Sequence, residues 1–436
     1  MQRKTSANNK RLITFIAAAM VIIIVLVAII VIAAQNNAKN AKIYAIATLS
    51  PTFTPEVATT ANPDTEEPNS SATMPDGTPV PADGVVSISI KAVGDIAVQT
   101  ELLAGAYDSS TGGYDFTRLF EKISSALDSD FTIASFETVC VDTGTAAYSG
   151  RGTYNTPASI IDAMKAAGID AVTLANSHIL DHGVEGIRQT TAKFDEAGIN
   201  RFGAYNSQDE ADAERIALVD VKGIKLAVLS YTEDVRGNLT NLTTAQQNFA
   251  VNIAKREGII ADIERARSKG ADVIIVALHW GELFTYEPSS NMRSMAEALL
   301  TAGADVILGT HTQEVQRITT KMVTRSDGSE SRGIVAYALG NFVSEYREPR
   351  QDGGIILNID IQKDMTTGEV TISLPSYTPT WVDKIAEGGT SVFEVVRMGD
   401  YYSAPGSMTT ESHTRMKTAW SEITGLITSE MATLSE

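Results

Sequence analysis

Residues 171–183 read Ala-Val-Thr-Leu-Ala-Asn-Ser-His-Ile-Leu-Asp-His-Gly. An apolar run typical of a buried strand stops abruptly in the polar residues Asn176, Ser177, His178 and Asp181. Open α/β sheets place their sites at the carboxyl ends of such strands, because side chains beyond the last strand residue face a crevice rather than the core. The stretch therefore predicts a strand of an α/β sheet with a cluster of functional groups at its end.

Other apolar runs of the chain end in the same way, in polar or glycine-rich sequence. They are Ser87–Val93, Phe131–Phe136, Lys225–Ser230, Val273–Leu278, Val306–Leu308 and Ile334–Leu339. Helical patterns that end near glycine lie between several of them, at Ile160–Ala167, Gly186–Ala197, Val251–Lys269 and Met292–Ala302. Strands that alternate with helices predict βαβ units and largely parallel sheets covered on both faces. Near the C-terminus, Gly353–Ile361 and Glu369–Leu374 flank a turn sequence and predict a β-hairpin.

Composition narrows the class of protein. The 436 residues carry a formal net charge of −18, which argues against a nucleic-acid-binding protein because such proteins present a basic face. The single cysteine, Cys140, excludes a disulfide framework and a zinc site built from thiolates. The length predicts one large domain with appendages.

The N-terminal region has the pattern of a membrane anchor. Residues 12–34 are almost unbroken Leu, Ile, Val and Ala, long enough to cross the roughly 30 Å hydrocarbon core of a membrane. Basic residues cluster in residues 1–11, so the positive-inside rule places them in the cytoplasm and the rest of the chain outside. A cleaved signal peptide is the alternative, but its apolar core normally has about 7–15 residues. Residues 35–84 are rich in Pro, Ser and Thr and predict a disordered tether. We expect a single-pass protein of the cell membrane whose domain (85–400) and helical C-terminal tail (401–436) are extracellular.

Histidine and carboxylate side chains recur at the predicted strand ends, where His178, His279, His311, Asp95 and Glu137 all lie. A turn aspartate or a hydrogen-bonded histidine is the simpler explanation for each residue alone. Because the ends of parallel strands share one edge of a sheet, however, these groups can converge. Nitrogen and carboxylate donors together suit Zn²⁺, Mn²⁺ or iron, and two such ions about 3.5–4 Å apart would polarise a phosphoryl oxygen and supply hydroxide. The pattern predicts a divalent-metal or polar-ligand site.

Six ordered motifs resemble the poly-γ-glutamate capsule synthesis protein family, CapA. They are Gly94-Asp95-Ile96, Ser135–Thr138, Ala175–Gly183, His279-Trp280-Gly281, Ala302–Gly309 with His311 and Gln316, and Tyr337–Phe342. The resemblance covers about Ser87 to Arg397. That family is similar to the calcineurin-like metallophosphoesterases, so the resemblance implies a four-layer α/β/β/α sandwich with metals at the strand ends.

The resemblance also implies the roles of single residues. The divalent metal ligands would be Asp95, Glu137, Asn176, His279 and His311. His178 would be the catalytic or phosphate-facing imidazole, oriented by Asp181. Four positions depart from the family. Ser177 stands where a second Asn is common and Gln313 where a second His is common. After the His-Trp-Gly motif, Leu283 and Phe284 stand where a Glu and a Tyr are common. Serine and glutamine are weak ligands for transition metals, so these changes predict one metal ion, a weakly bound pair or none.

Two classes of function remain open. The first is a membrane-anchored hydrolase or transferase of phosphate or amide bonds that acts on a cell-envelope polymer such as poly-γ-glutamate. The second is a non-catalytic assembly or export factor that uses the same cleft to bind a polymer or a partner. The retained histidines and carboxylates favour the first class, whereas Ser177 and Gln313 favour the second. For both, the resemblance implies membrane-bound polymer synthase proteins as partners.

Overall fold

The computed structural model describes residues 84–324, 328 and 330–431, which form two large β-sheets, two small two-stranded sheets and the helices packed against them. The strands in chain order are β1 (Val85–Ile96), β2 (Tyr107–Asp108), β3 (Gly113–Tyr114), β4 (Phe131–Phe136), β5 (Ser149–Arg151), β6 (Thr153–Asn155), β7 (Ala171–Thr173), β8 (Asn200–Phe202), β9 (Leu218–Val221), β10 (Ile224–Thr232), β11 (Val273–His279), β12 (Val306–Thr310), β13 (Ile318–Thr324), β14 (Glu330–Ala336), β15 (Asn341–Val343), β16 (Gly353–Asp364), β17 (Val370–Ile372), β18 (Ser376–Glu387) and β19 (Thr390–Arg397). The α-helices are α1 (Thr100–Ala106), α2 (Thr117–Glu121), α3 (Ser124–Leu127), α4 (Ser159–Ala166), α5 (Gly183–Ala197), α6 (Gln208–Glu214), α7 (Thr244–Phe249), α8 (Arg256–Ser268), α9 (Ser290–Ala302), α10 (Met398–Tyr401) and α11 (Thr410–Met431).

Both large sheets are mixed. The nine-stranded sheet has the order β19-β18-β16-β1-β4-β7-β8, with β15 beside β1 and β17 beside β16. Its strands β1, β4, β7 and β8 are parallel, whereas β16, β18 and β19 are added antiparallel. The six-stranded sheet has the order β13-β14-β12-β11-β10-β9, with parallel central strands and antiparallel edges. The prediction of largely parallel sheets therefore applies to the central strands only, because the last part of the chain folds back as hairpins, among them the predicted pair β16–β17.

Three apolar cores separate four layers. One core lies between the nine-stranded sheet and helices that include α4 and α5. The second fills the space between the two sheets, and the third lies between the six-stranded sheet and helices α8 and α9. In β11, Ile274 belongs to the third core and its neighbour Ile275 to the second, because successive strand residues point to opposite faces. Each such side chain contributes roughly 1.5–3 kcal/mol when fully buried. The described chain is thus an α/β/β/α arrangement.

Helix α11 closes one end of the space between the sheets. Its apolar face places Met416 and Ile423 in the core between the sheets, beside Trp381. Arg415 of the same helix forms a two-pronged ion pair with the fully buried Asp352, at 2.8 and 2.9 Å. Because removing one partner would leave the other charge buried and uncompensated, this pair holds the helix against the sheet.

The predicted anchor (12–34), the residues before it and the tether up to residue 83 lie outside the described residues. Within the described ranges, no helix combines the length and the apolar character that a membrane crossing requires.

The hydrogen-bond register aligns the carboxyl ends of the parallel strands. In the nine-stranded sheet, Asp95 lies opposite Ser135, which in turn lies opposite Thr173. In the six-stranded sheet, His279 lies between Thr232 and Thr310. Residues that directly follow these strands are therefore neighbours in space, although they are far apart in sequence.

Candidate metal centre

The two sheets bring four of the predicted residues together at their carboxyl ends. Asp95 and Glu137 come from the nine-stranded sheet, and His279 and His311 come from the six-stranded one. Nε2 of His279 is 3.2 Å from Oε1 of Glu137, and its Nδ1 is 3.7 Å from Oδ1 of Asp95. One donor atom from each of Glu137, His279 and His311 lies within 4.8 Å of the others. These three side chains form a candidate metal site, with Asp95 directly beneath it.

One ring nitrogen of each candidate histidine ligand is left without a hydrogen bond by the rest of the protein. Nε2 of His279, Nδ1 of His311 and Oε1 of Gln313 are buried and have no hydrogen-bond partner. A buried polar atom without a partner costs about 1–3 kcal/mol, and a bound cation would offset this cost. Two imidazoles and one carboxylate form the donor set that Zn²⁺, Mn²⁺ and iron accept. The residues present therefore fit one divalent ion.

Ser177 and Gln313 surround the carboxylate of Glu137. The Ser177 hydroxyl donates to Oε1 and the Gln313 amide donates to Oε2, each at 3.1 Å. Two of the positions that depart from the family pattern are therefore hydrogen-bonded to the candidate ligand Glu137. Such contacts fix the orientation of a ligating carboxylate.

Asn176 is fully buried, and both of its polar atoms bind backbone. Its Nδ2 donates to the carbonyl of Phe136 at 2.7 Å, and its Oδ1 accepts from the amide of His178 at 3.0 Å. The second bond is an Asx turn, which reverses the chain after β7 and aims His178 into the cleft. The role of Asn176 as a metal ligand stays a prediction, and these bonds give the residue a structural role as well.

His178 is oriented from two sides. Its Nδ1 lies 2.6 Å from Oδ2 of Asp181, which also accepts the backbone amide of Tyr154 at 2.6 Å. The Tyr154 ring stacks on the imidazole with centroids 3.8 Å apart and planes 7° from parallel. Because the carboxylate needs a donor, Nδ1 carries the proton and Nε2 is left as an acceptor. Asp181 and Tyr154 thus restrain the imidazole of His178, whereas a catalytic role for His178 stays a prediction.

Four residues without a predicted role, Tyr154, Glu233, Asp234 and Arg236, line the same cleft, which has a volume of about 1070 Å³. Oε2 of Glu233 accepts the amide of Gly281 at 2.9 Å, which ties the loop after β10 to the loop after β11. Glu233 and Asp234 belong to the polar sequence that follows the predicted strand Lys225–Ser230, and Arg236 comes two residues later, so the strand-end pattern was the signal for these three. Tyr154 lies on a three-residue strand that carries no comparable signal.

The cleft is acidic, and burial controls its protonation. Burial, followed by the nearby Glu137 carboxylate, raises the pKa of Asp95 to about 6. Burial lowers the pKa of His279 and of His311 to about 4. Both imidazoles are therefore neutral at pH 7, which is the form that binds metal ions.

The metal-free protein should lose stability between pH 7 and pH 5. The two histidines have folded pKa values of about 4 against 6.5 ordinarily, so their stabilisation is present above pH 6.5 and lost as the pH falls towards 4. Asp95 changes the stability in the opposite direction, because folding raises its pKa from 3.8 to about 6. Its contribution to stability is complete below pH 3.8 and is lost as the pH rises through 6. Two histidines outweigh one aspartate, which gives a net loss on the order of 2 kcal/mol at pH 5.

Urea unfolding at the two pH values measures this loss. The double variant His279→Asn with His311→Asn serves as the control, because it lacks both titrating rings. If this variant lost as much stability as the parent protein, the two imidazoles would not be the cause.

The chain is similar in sequence to known proteins of capsule synthesis. The family model described as bacterial capsule synthesis protein PGA_cap matches residues 89–346. The capsule biosynthesis protein CapA of Bacillus anthracis is 31% identical over 186 residues, which is 42% of this chain and 42% of the relative. The PGA biosynthesis protein CapA of Bacillus subtilis (strain 168) is 29% identical over 226 residues, 51% of this chain and 56% of the relative. The chain thus spans about half the length of these curated relatives.

Solved structures show a more distant likeness. The calcineurin-like phosphoesterase YfkN from Bacillus subtilis has a TM-score of 0.37 and 14% identity, over 78% of this chain and 98% of that one. A phosphatase from Mycoplasma pneumoniae has a TM-score of 0.36 and 12% identity, over 68% and 94% of the two chains. A likeness at this level bears on neither activity nor substrate. The match of the family model, which covers more than half of the chain, establishes that this protein belongs to the bacterial capsule synthesis protein family PGA_cap.

Proposed function

We propose that this protein is a membrane-anchored, metal-dependent hydrolase that acts on a cell-envelope polymer during its synthesis or export. The observation that carries the proposal is the set of three donor atoms, from Glu137, His279 and His311, within 4.8 Å of one another. They lie on a cleft that is large enough for a segment of a polymer. The printed names of the relatives, which refer to capsule and PGA biosynthesis, support poly-γ-glutamate as the class of substrate.

The chain supplies the groups that such a reaction requires. A divalent ion bound by these donors would polarise the bond to be broken and lower the pKa of a bound water. Ser177 and Gln313 hold the Glu137 carboxylate in a fixed orientation, in which it would be available to such an ion. Asp181 fixes the proton of His178 on Nδ1, so that Nε2 can accept a proton and later donate it to the leaving group. Tyr154 restrains the imidazole plane.

The charge of the cleft makes a bound cation important for an anionic substrate. Six carboxylates line the described cleft, from Glu101, Glu137, Glu233, Asp234, Glu282 and Glu345, against the guanidinium groups of Arg151 and Arg236. Like charges repel within a Debye length of about 8 Å at physiological salt. A divalent ion at the centre would reduce this repulsion at the position where the polymer has to bind.

A non-catalytic role in polymer binding or assembly is the second candidate. Ser177 and Gln313 favour it, because a hydroxyl and an amide are weak ligands and leave a cluster of three His or Glu donors among the described residues. In this case the protein would work with membrane-bound polymer synthase proteins and bind their product.

Metal content and turnover of the purified extracellular part separate the two candidates. We expect about one equivalent of Zn²⁺, Mn²⁺ or iron per chain and hydrolysis of a generic phosphodiester or of a γ-glutamyl oligomer. Bound metal without turnover would favour the binding role. A protein that binds no metal after incubation with these ions would contradict the hydrolase.

The anchored topology has its own test. The apolar run 12–34, with basic residues before it, supports an external domain on a tether. Protease added to intact cells should cut the tether and release a soluble fragment. A fragment that stays protected, or one that is free before protease is added, would contradict the anchor.

A further inference from the structure

A second pocket, the tyrosine pocket, lies next to the cleft. Its volume is about 520 Å³, which is within the range of small-ligand sites. Pocket and cleft share a wall, because Thr100 and Gly150 line both of them. The other lining residues of the tyrosine pocket are Leu103, Ala104, Tyr107, Tyr114, Tyr148 and Ser149. The lining therefore contains no charged side chain, whereas six carboxylates line the neighbouring cleft.

Three tyrosine rings give the pocket an aromatic surface. Tyr107 and Tyr114 lie opposite each other in the β2–β3 hairpin, and Tyr148 directly precedes β5. The ring of Tyr114 meets that of Tyr107 edge to face, with centroids 5.4 Å apart, and that of Tyr148 in the same way at 5.3 Å. An edge-to-face contact covers only one face of one ring, so the three rings leave most of their faces uncovered by one another. Tyr107 is also 50% exposed, which opens this surface to a ligand.

The pocket adds hydroxyl groups to this aromatic surface. The three tyrosines and Thr100 each carry one O–H group, which can both donate and accept a hydrogen bond. The carboxylate of Asp108 belongs to the same hairpin but is not part of the lining, because it binds the hydroxyl groups of Ser110 and Thr111 in the turn. The pocket thus offers aromatic faces and neutral hydrogen-bonding groups together.

The wall between the pocket and the cleft is held in place by close backbone packing. A Cβ atom at Gly150 would lie 2.1 Å from the carbonyl carbon of Gln99, so glycine is required for the β5–β6 hairpin to approach the start of α1. Oε1 of Gln99 accepts the amide of Glu345 at 2.9 Å, and its backbone carbonyl accepts the amide of Leu103 at 3.0 Å. A ligand therefore meets a preformed surface, which lowers the entropy cost of binding.

We propose that the tyrosine pocket binds an uncharged sugar unit of a cell-envelope glycan and thereby holds the cleft next to that glycan. A sugar ring presents C–H groups that pack on aromatic faces, and hydroxyl groups that need donors and acceptors but no charge. A γ-glutamyl polymer does not suit this pocket, because each unit carries a carboxylate and no cation of the lining compensates it. The location in the cell envelope rests on the proposed function, whereas the binding of a sugar does not.

Saturation-transfer NMR and calorimetry test the proposal without turnover. The metal-free, full-length protein is kept in a detergent that has no sugar head group and is titrated with trimers of glucose, of N-acetylglucosamine and of γ-linked glutamate. We expect saturable binding of at least one sugar trimer, with saturation passing from the aromatic protons of the protein to the C–H groups of the sugar. If neither sugar trimer bound, the proposal would be wrong.

Four variants locate the binding. Tyr107→Ala should weaken the binding of the sugar trimer about ten-fold, whereas Tyr107→Phe keeps the ring and should weaken it by no more than about three-fold. Ala104→Glu places a charged side chain at an exposed lining position and should abolish binding without altering the core. Tyr286→Ala is the matched control, because Tyr286 is 45% exposed and lines neither the pocket nor the cleft.

Unchanged sugar binding in both Tyr107→Ala and Ala104→Glu would overturn the assignment to this pocket. An equal loss in Tyr286→Ala would overturn it too, because the effect would then not be local. A glutamate trimer that bound as tightly as the sugars and was released by Ala104→Glu would show that the pocket does not select uncharged units. Sugar binding that follows this pattern in a protein without turnover would support the site and contradict the hydrolase alone.

Discussion

Replacing His279 with alanine should lower the affinity of the protein for divalent metal by roughly 100-fold or more, because a site of three donors cannot lose one and still enclose the ion. Nε2 of His279 is buried, lies 3.2 Å from Glu137 and has no hydrogen-bond partner. No histidine other than His311 contributes to the described cluster. Calorimetry with competing chelator, supported by elemental analysis, measures the affinity and the number of ions per chain.

His413→Ala is the matched control for this variant. In the parent protein, Nε2 of His413 lies 2.9 Å from the backbone carbonyl oxygen of Tyr401, and His413 does not line the cleft. The control should bind metal as the parent protein does. Equal affinity in His279→Ala would remove this imidazole from the ligand set.

The converse change should add metal. In the double variant Ser177→Asn with Gln313→His, an amide replaces the hydroxyl at position 177 and an imidazole replaces the amide at position 313. In the parent protein, both of the replaced groups are hydrogen-bonded to Glu137. Imidazole is a stronger donor to transition metals than an amide, so the number of bound ions should rise from about one towards two. His279→Ala should cancel this gain. If the double variant bound no more metal than the parent, the cleft would be better explained as a surface that binds a polymer or a partner.

Among glycine-to-alanine substitutions in the described six-stranded sheet, Gly309→Ala should reduce the stability of the protein most. A Cβ atom at Gly309 would lie 1.8 Å from the carbonyl oxygen of Tyr337 and 2.6 Å from Nε1 of Trp280. These two atoms are hydrogen-bonded to each other at 3.0 Å, and the carbonyl of Gly309 itself accepts the amide of Leu339. Neither neighbour can move without breaking these contacts. We expect a loss of about 4 kcal/mol or more, or no folded protein.

Urea unfolding measures this effect, with Gly258→Ala as the control. Gly258 lies in helix α8, and the nearest heavy atom to an added Cβ is 4.0 Å away. Alanine there should be neutral or stabilise the protein by roughly 0.5–1 kcal/mol, because it restricts the unfolded chain. If the free energy of unfolding of Gly309→Ala lay within about 1 kcal/mol of that of the parent, the Tyr337 backbone would be able to move away from the added methyl group. Because His311 follows two residues later, a folded variant should also bind metal less tightly.

Residues 171–183 illustrate what a sequence can predict. The apolar run and its polar end are local features, and the rule that active groups follow buried strands needs no knowledge of neighbours. Applied along the chain, the same rule selected Asp95, Glu137, His279 and His311, and the structure brings these four together. The antiparallel hairpins of the C-terminal part were only partly predicted, because pairing between distant strands is not written in either strand alone.

The sequence by itself thus determined the α/β class, the strands that carry the site and the residue types at their ends. Only the tertiary structure decided what those residues contact. Ser177 and Gln313 turned out to bind Glu137, and Arg236 covers His178. The backbone φ angles of Arg236, His311 and Gln313 are 55°, 94° and 63°, in a left-handed region that these residue types rarely adopt. Loop conformations of this kind are imposed by packing between two sheets, so the direction of each side chain depends on contacts that no local pattern contains.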